Sequence, residues 1–219
     1  MNSKNTKIIF IRHGQSLGNA TKTILGHTDL DLTEQGYLQA KTTAEYLKNE
    51  KIDIIYSSDL IRAYNTAIPN AKIRDLPIIT STKLREMYIG DWENQKADDI
   101  IAKWGREVFV GQWHDNFGLF VFPGGESIKD GGYRFYNEVL NIVSQNIGKT
   151  ILICSHAAVI RAFWGIISNV EWQNLASTIP FSTNASYSIA YFDGSSFSPS
   201  EYSCDCHLSD IGITKFEMK

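Results

Sequence analysis

Three short apolar runs, at residues 7–11, 52–56 and 150–154, indicate which architecture this chain can adopt. Each is rich in isoleucine and has the length of a strand that is buried on both faces of a sheet. A fourth strand is expected at residues 77–80. Helical segments that alternate with such strands cover both faces of a parallel sheet. The sequence therefore predicts an α/β fold, a three-layer sandwich with a mostly parallel central sheet and helices on both faces.

Two helices are predicted in the first third of the chain. Thr33 is a suitable N-cap for a helix that runs to about Asn49. Asp59 can cap a second helix, and Pro69 is expected to end it because proline interrupts the helical hydrogen-bond ladder.

The second half of the chain returns to regular structure. A helix is expected over residues 126–147, with an interruption at Gly131-Gly132, and another over about residues 158–168. Antiparallel strands are expected around residues 187–192 and 201–208. Repeats and low-complexity linkers were not found, so residues 1–219 are interpreted as a single domain.

The segment at about residues 91–125 differs from the rest because its periodicity is weak and aromatic residues crowd it. We interpret it as a small helical lid insertion whose rings mainly form a core. If the rings instead line a binding pocket, they would favour an apolar or bulky ligand. The aromatic residues are Trp92, Trp104, Phe109, Trp113, Phe117, Phe120 and Phe122.

Charge and composition exclude several classes of partner. The net charge is −3 and the charges are mixed, so no nucleic-acid partner is expected. The most apolar stretch contains His156 and Arg161, which argues against a membrane span. Arg161 is expected to form a structural salt bridge. Three cysteines, interpreted as reduced thiols, and an N-terminus without an apolar core predict a cytoplasmic protein.

Polar residues follow the predicted strands at the point where each strand ends. They are Arg12-His13, Ser57-Ser58 and Ser155-His156. The carboxyl ends of parallel strands meet at one edge of a sheet, which is where ligands bind in such folds. We therefore expect these side chains to lie together.

Phosphoryl transfer without a metal ion would suit this set of residues. Planar guanidinium groups match the oxygens of a phosphoryl dianion, and a neutral imidazole can attack phosphorus if its other nitrogen donates a hydrogen bond. A carboxylic acid can protonate the leaving oxygen. The candidates are Arg12, His13, Arg62, Glu86 and His156.

These residues belong to motifs that resemble the histidine phosphatase superfamily, which includes cofactor-dependent phosphoglycerate mutases. The similar segments occur in the same order over residues 7 to about 165. They are Arg12-His13-Gly14, Asn19, residues 26–33, Gly36, Gln39-Ala40, residues 57–63, Leu84-Arg85-Glu86, residues 90–93, residues 123–127, Ser155-His156 and Ile160-Arg161.

The resemblance implies a phosphohistidine on His13, with Glu86 protonating the leaving group and then activating water. No cofactor and no metal ion are implied, and the sequence has no H-E-x-x-H motif. The expected partner is a small phosphorylated substrate, and a homodimer stays open because the family includes monomers and dimers. The groups that would bind the phosphoryl oxygens are the side chains of Arg12, Asn19, Arg62 and His156 and the backbone N–H of Ala157.

Two departures from the mutase pattern favour a phosphatase. Met87 stands where the mutases typically carry an arginine that grips the substrate carboxylate, and Ile89 stands where they carry a tyrosine. Phosphoglycerate mutase-type transfer is the alternative, and a binding module without turnover is a second one. Alanines at 157 and 158 replace two usual glycines and could narrow the pocket.

Two other phosphatase chemistries leave partial signals. Asp29-Leu30-Asp31-Leu32-Thr33 matches the pattern of magnesium-dependent aspartate phosphatases, but no buried strand precedes it. Cys154 and Arg161 are similar to the cysteine phosphatase pair, but six residues separate them where that loop has five. We therefore expect neither of these two chemistries in this chain.

Overall fold

The computed structural model describes residues 5–214, and its centre is a six-stranded sheet in the order β4-β3-β6-β1-β7-β8. β1, β3, β4 and β6 are parallel, whereas β7 runs antiparallel to both of its neighbours. The mostly parallel sheet is therefore confirmed. A separate pair, β2 and β5, lies outside it. The strands are β1 (Thr6–Arg12), β2 (Thr23–Ile24), β3 (Ile54–Ser58), β4 (Ile78–Ser81), β5 (Gln95–Lys96), β6 (Thr150–Ser155), β7 (Tyr187–Phe192) and β8 (Phe197–Cys204).

Helices connect the strands and cover the sheet. The α-helices are α1 (Leu17–Thr21), α2 (Glu34–Tyr46), α3 (Ile61–Arg74), α4 (Ala97–Trp104), α5 (Ile128–Ser144), α6 (Ala157–Ile167) and α7 (Leu175–Thr178). A π-helical segment spans Glu107–Asp115, and 3₁₀ turns span Thr82–Leu84, Gly90–Trp92, Phe117–Leu119, Trp172–Asn174 and Cys206–Ile211.

Successive residues of β1 show that the sheet is covered on both faces. The ring of Phe10 lies 5.0 Å from that of Phe163 in α6. Ile9 and Ile11 point the other way and pack in a cluster with Ala67 of α3. Each of these side chains is fully buried, which stabilises the fold by roughly 1.5–3 kcal/mol for a large apolar residue. The predicted three-layer sandwich is confirmed.

The predicted start of α2 is confirmed, but both predicted ends of α3 are wrong. Thr33 caps α2 by accepting a hydrogen bond from the Gly36 N–H. Asp59 instead accepts a hydrogen bond of 2.8 Å from Arg85 Nε, and α3 starts two residues later. Pro69 lies inside α3, which continues to Arg74. Tertiary packing of the segment after Pro69 outweighs the lost hydrogen bond, since Ala71 and Leu76 pack against the cluster that contains Ile9 and Ile11.

The expected interruption of α5 is also wrong. The helix runs unbroken through Gly131 and Gly132 because both are sites of close packing. A Cβ on Gly131 would lie 2.1 Å from Met87 Sδ, and one on Gly132 would lie 3.0 Å from the Cβ of Ala162. Near the C-terminus, the strand expected at residues 201–208 lies earlier, as β8, and a 3₁₀ turn follows it.

The aromatic segment forms a core, as expected. Trp92 is completely buried, and the rings of Phe109, Trp113, Phe120 and Phe122 lie 5.2–5.8 Å from it. This cluster is continuous with the apolar core between the sheet and α5 and α6.

Within residues 5–214, Arg161 does not form the predicted salt bridge. Its guanidinium group donates hydrogen bonds to the carbonyl oxygens of Ile179 and Ala176, at 2.5 and 2.8 Å. It also lies over the rings of Phe117 and Phe181, 4.6 and 4.2 Å from their centroids. Carbonyl dipoles and ring faces thus take the place of a carboxylate. Within residues 5–214, no helix is both long and apolar enough to cross a membrane.

Candidate active site

A cavity opens where β1, β3 and β6 end. It encloses about 680 Å³, part of it open to solvent. A hydrogen bond joins the ends of β1 and β6 here, because the His13 N–H donates to the carbonyl oxygen of Ser155 at 2.9 Å. Six of the seven predicted site residues line the cavity, namely Arg12, His13, Asn19, Arg62, Glu86 and Ala157.

The imidazole of His13 is held in one tautomer. Its Nδ1 lies 2.7 Å from the carbonyl oxygen of Gly14, and a carbonyl only accepts hydrogen bonds. Nδ1 therefore carries the proton, and Nε2 keeps its lone pair. Burial lowers the pKa of His13 well below 6.5, and the cations Arg62 and Arg12 lower it further. The ring is thus neutral at pH 7, as a nucleophile requires.

The loop that carries His13 is fixed from several sides. The Gly14 N–H donates to Thr66 Oγ1 at 3.0 Å, and Asn184 Nδ2 donates to the carbonyl oxygens of His13 and Gly14 at 3.0 and 3.2 Å. Gly14 is needed here because a Cβ would lie 2.4 Å from the carbonyl oxygen of Gly36. Sequence reasoning missed Thr66 and Asn184. Thr66 lies one helical turn after Arg62, which is a usable signal, whereas nothing in the spacing points to Asn184.

Arg62 is almost fully buried and is aimed by two backbone carbonyls. Its Nη1 donates to Thr28 O at 2.8 Å and its Nη2 to Gly26 O at 2.7 Å. Burial lowers its pKa to about 10, opposed by the carboxylates of Glu86 and Asp29. The side chain therefore stays a cation at pH 7.

Arg12 is the second buried cation of the cavity. Its Nη1 donates to the carbonyl oxygen of Ser182, while its Nε has no partner among residues 5–214. Burial lowers its pKa to about 10, so it also stays charged at neutral pH. A buried guanidinium with an unsatisfied N–H is ready to bind an anion.

His156 lies beside His13, with 5.2 Å between the ring centroids. It does not line the cavity; its Nε2 is 2.9 Å from Ser58 Oγ, and its Nδ1 has no partner in the described part of the chain. Burial, followed by the charge of Arg62, lowers the pKa of His156 well below 6.5. Ser58 was noted only as a strand end, and its contact with His156 was missed.

The Glu86 carboxylate lies at the N-terminus of α6. Its Oε2 accepts from the Ala158 N–H at 3.1 Å and its Oε1 from the Val159 N–H at 3.2 Å. Its backbone carbonyl is held by Arg134 Nη2 at 2.9 Å and by His27 Nε2 at 2.8 Å. Unpaired N–H groups make a helix N-terminus favourable for negative charge.

Asn19 and Ala157 complete the predicted set. Asn19 Oδ1 accepts from the Ser16 N–H at 3.1 Å and from Asn184 Nδ2 at 3.0 Å, so its Nδ2 is the amide atom that could donate to a ligand. Ala157 is the first residue of α6, and its N–H has no intrahelical acceptor in standard helix geometry. Both positions suit an anion beside His13.

Glu93 organises the loop that aims Arg62, a link that sequence reasoning missed. Its Oε2 accepts from the backbone N–H and the hydroxyl of Thr28, at 2.7 and 2.6 Å, and its Oε1 accepts from the His27 N–H at 2.7 Å. Gly26 and Thr28, on either side of His27, supply the two carbonyls that bind Arg62. The Gly-Asp-Trp-Glu run was the available signal.

The two rival motifs have structural explanations. Asp29 Oδ1 accepts from the Ile61 N–H at the start of α3, and Asp31 Oδ2 accepts from the hydroxyl of Tyr37. Cys154 is fully buried in β6, where burial raises the pKa of its thiol. Among residues 5–214, no group of three or more His, Cys, Asp and Glu side chains is placed to hold a metal ion.

Comparison with known sequences gives a consistent family. The family model described as histidine phosphatase superfamily (branch 1) matches residues 8–205. Phosphoserine phosphatase 1 of Hydrogenobacter thermophilus is 28% identical over 207 residues, which cover 94% of this chain and 96% of that protein. The 2,3-bisphosphoglycerate-dependent phosphoglycerate mutase of Brucella anthropi is 36% identical over 162 residues, 71% of this chain and 78% of the mutase.

Solved structures show the same fold. YhfR of Bacillus stearothermophilus superposes with a TM-score of 0.86 at 27% identity and covers 93% of this chain and 100% of its own. A phosphoserine phosphatase of Entamoeba histolytica, solved with 3-phosphoglyceric acid, has a TM-score of 0.78 at 27% identity, with 93% and 99% of the two chains covered. Similar proteins thus include both phosphatases and mutases.

Proposed function

Because the chain belongs to the histidine phosphatase superfamily (branch 1), we propose that it is a metal-independent phosphomonoester hydrolase that acts through a phosphohistidine on His13. One observation carries this proposal. The Nδ1–H of His13 is committed to the Gly14 carbonyl, so Nε2 keeps its lone pair, and His13 lines a cavity that two buried arginines also line. A neutral imidazole beside two guanidinium groups is suited to attack a phosphoryl dianion.

The reaction has two steps. In the first, His13 Nε2 attacks phosphorus, the N–P bond forms, and the ester P–O bond breaks. Glu86, in its protonated form, gives its proton to the leaving oxygen. Arg12 and Arg62 bind the equatorial oxygens as negative charge spreads over them, and the backbone N–H of Ala157, the first residue of α6, adds a further donor.

In the second step, the same groups act in reverse. Water attacks phosphorus, the N–P bond breaks, and Glu86 takes a proton from the water. His13 returns to its neutral form and inorganic phosphate leaves. Asn19, which lines the cavity, supports this step as a further donor toward the phosphoryl group. His156 does not line the cavity, and we propose that it acts from beside His13, where its Nδ1 has no partner among residues 5–214. We propose a small phosphorylated molecule as the substrate.

Phosphatase chemistry is preferred to mutase chemistry because of the residues after Glu86. Met87 and Ile89 line the cavity, at the positions where the mutase pattern has an arginine and a tyrosine. The similarity to phosphoglycerate mutases makes isomerisation of phosphoglycerate the second candidate.

Three assays separate the alternatives. We expect release of inorganic phosphate from para-nitrophenyl phosphate in the presence of EDTA, loss of that release in His13→Ala, and no interconversion of phosphoglycerates. Turnover that EDTA abolishes and magnesium restores would contradict the proposal. Rapid isomerisation would favour the mutase, and binding of phosphate without any turnover would favour a binding module.

A further inference from the structure

The wall of the cavity beyond the charged groups is apolar. It is formed by Ile24, Leu25, Met87, Ile89, Trp113 and Phe122. Building on the proposed function, we propose that this wall is a leaving-group subsite that selects phosphate esters of apolar alcohols, alkyl or aryl, over esters whose leaving group carries a carboxylate.

Two of these side chains adjoin the groups assigned to the reaction. Met87 directly follows Glu86, the proposed proton donor, and is 1% exposed, with its sulfur packed against Gly131. Ile89 packs on Gly26, where an added Cβ would lie 2.5 Å from its Cγ1. Since the carbonyl of Gly26 aims Arg62, the apolar wall starts next to the phosphoryl site.

The aromatic part of the wall is held firmly in place. The ring of Trp113 lies 4.9 Å from Phe109, 5.8 Å from Trp92 and 6.5 Å from Phe122. All four residues are buried in one cluster, so Trp113 and Phe122 present fixed ring surfaces to the cavity. Rigid aromatic surfaces bind apolar groups with little loss of side-chain entropy.

Among the described residues, the cavity offers no separate cation for a second anion. Of the described residues that line it, only Arg12 and Arg62 are cations, and the phosphoryl group needs both. Arg161 does not line the cavity, and it donates to the carbonyl oxygens of Ile179 and Ala176. A carboxylate on the leaving group would therefore lose its hydration against apolar side chains and near Glu86, at a cost in binding.

The test compares esters of nearly identical shape. In 3-methylbutyl phosphate and 3-phosphonooxypropanoate, an isopropyl group replaces a carboxylate on the same primary alkyl ester. For the wild-type chain we expect kcat/KM to be at least about 30-fold higher for 3-methylbutyl phosphate, the range expected when an apolar pocket accepts an alkyl group and rejects a charge. A further gain of roughly 10-fold is expected for 2-phenylethyl phosphate, from aromatic burial.

Met87→Arg should narrow or reverse the preference, because it introduces a cation beside Glu86. Leu119→Arg is the matched control, since Leu119 is 60% exposed and does not line the cavity. If Met87→Arg does not fold, the ratio of kcat/KM for the two esters in the wild-type chain decides whether the subsite exists. Turnover of both esters with equal or higher kcat/KM for the carboxylate ester would overturn the subsite and leave the phosphatase intact. Absence of turnover for every ester would overturn the proposed function and the subsite together.

Discussion

The carboxylate of Glu93 accepts two hydrogen bonds from Thr28, one from its backbone N–H at 2.7 Å and one from its hydroxyl at 2.6 Å. The carbonyl oxygen of Thr28 in turn accepts from Arg62 Nη1 at 2.8 Å. An acid outside the cavity lining thus fixes the backbone that aims a buried cation into the site. In the proposed reaction, loosening this geometry would be costly, because the phosphoryl group would be bound by position as well as by charge.

Glu93→Gln should weaken phosphate binding more than it weakens the fold. The neutral amide keeps the shape of the side chain but accepts fewer and weaker hydrogen bonds, so we expect KM for para-nitrophenyl phosphate and Ki for inorganic phosphate to rise about 10-fold. Glu45→Gln, at an exposed position, is the control. A lowered Tm with unchanged Ki would show that Glu93 is only structural.

Arg62→Lys should lower kcat/KM by about 100-fold. An ammonium group cannot reach the carbonyls of Gly26 and Thr28 and also present a planar fork to the substrate. Steady-state kinetics with para-nitrophenyl phosphate measure the loss. Arg106→Lys, on an exposed residue, should change kcat/KM by less than about 2-fold. Full activity of Arg62→Lys would contradict the proposal that Arg62 binds the phosphoryl group.

Glu86→Gln should harm esters in proportion to the basicity of their leaving oxygen. A 3-methylbutyl alkoxide needs a proton, whereas para-nitrophenolate leaves with little help, so the alkyl ester should lose about 10-fold more kcat/KM than the aryl ester. Equal losses on the two esters would refute the assignment of Glu86 as the acid and indicate that it only positions α6.

The free energy of unfolding should fall below about pH 6.5, because two histidines are buried in their neutral forms. Burial holds the pKa of His13 and His156 well below 6.5, near which unfolded histidine titrates. Below pH 6.5, the unfolded chain therefore binds more protons than the folded chain. The stability that the neutral rings provide is complete above that pH and is lost as the pH falls toward their folded pKa values.

Urea unfolding between pH 8 and pH 5 measures this effect. The free energy of unfolding should be level above about pH 7 and then decline, and His13→Asn should reduce the slope by up to one proton, about 1.4 kcal/mol per pH unit. His114→Asn is the control, because its side chain is exposed. An unchanged slope in His13→Asn would mean that His13 is not held neutral in the fold.

The sequence was sufficient for the parallel strands of the sheet and for bringing together most residues around the proposed phosphoryl site. Strands buried on both faces produce apolar runs that can be recognised directly, and parallel strand ends must meet. For this reason the sequence alone places Arg12, His13 and His156 together. The order of motifs added Arg62 and Glu86.

The predictions that were wrong or missing concern features that depend on packing between distant segments. Pro69 and Gly131 look like helix breakers in isolation, yet the contacts around α3 and the close approach of Met87 to α5 decide in favour of helix. Asn184 contacts the His13 loop across 170 residues of chain, and local sequence carries no trace of such a contact. Arg161 has carbonyl partners that sequence cannot distinguish from a carboxylate.

The most direct test of the account is to trap the covalent intermediate. The wild-type chain is mixed with para-nitrophenyl phosphate, quenched in alkali within milliseconds and mapped by mass spectrometry. We expect one phosphoryl group, stable in base and labile in acid, on the peptide that contains His13, and none in His13→Ala. Phosphoryl transfer to another residue, or hydrolysis by His13→Ala at the wild-type rate, would contradict the central claim.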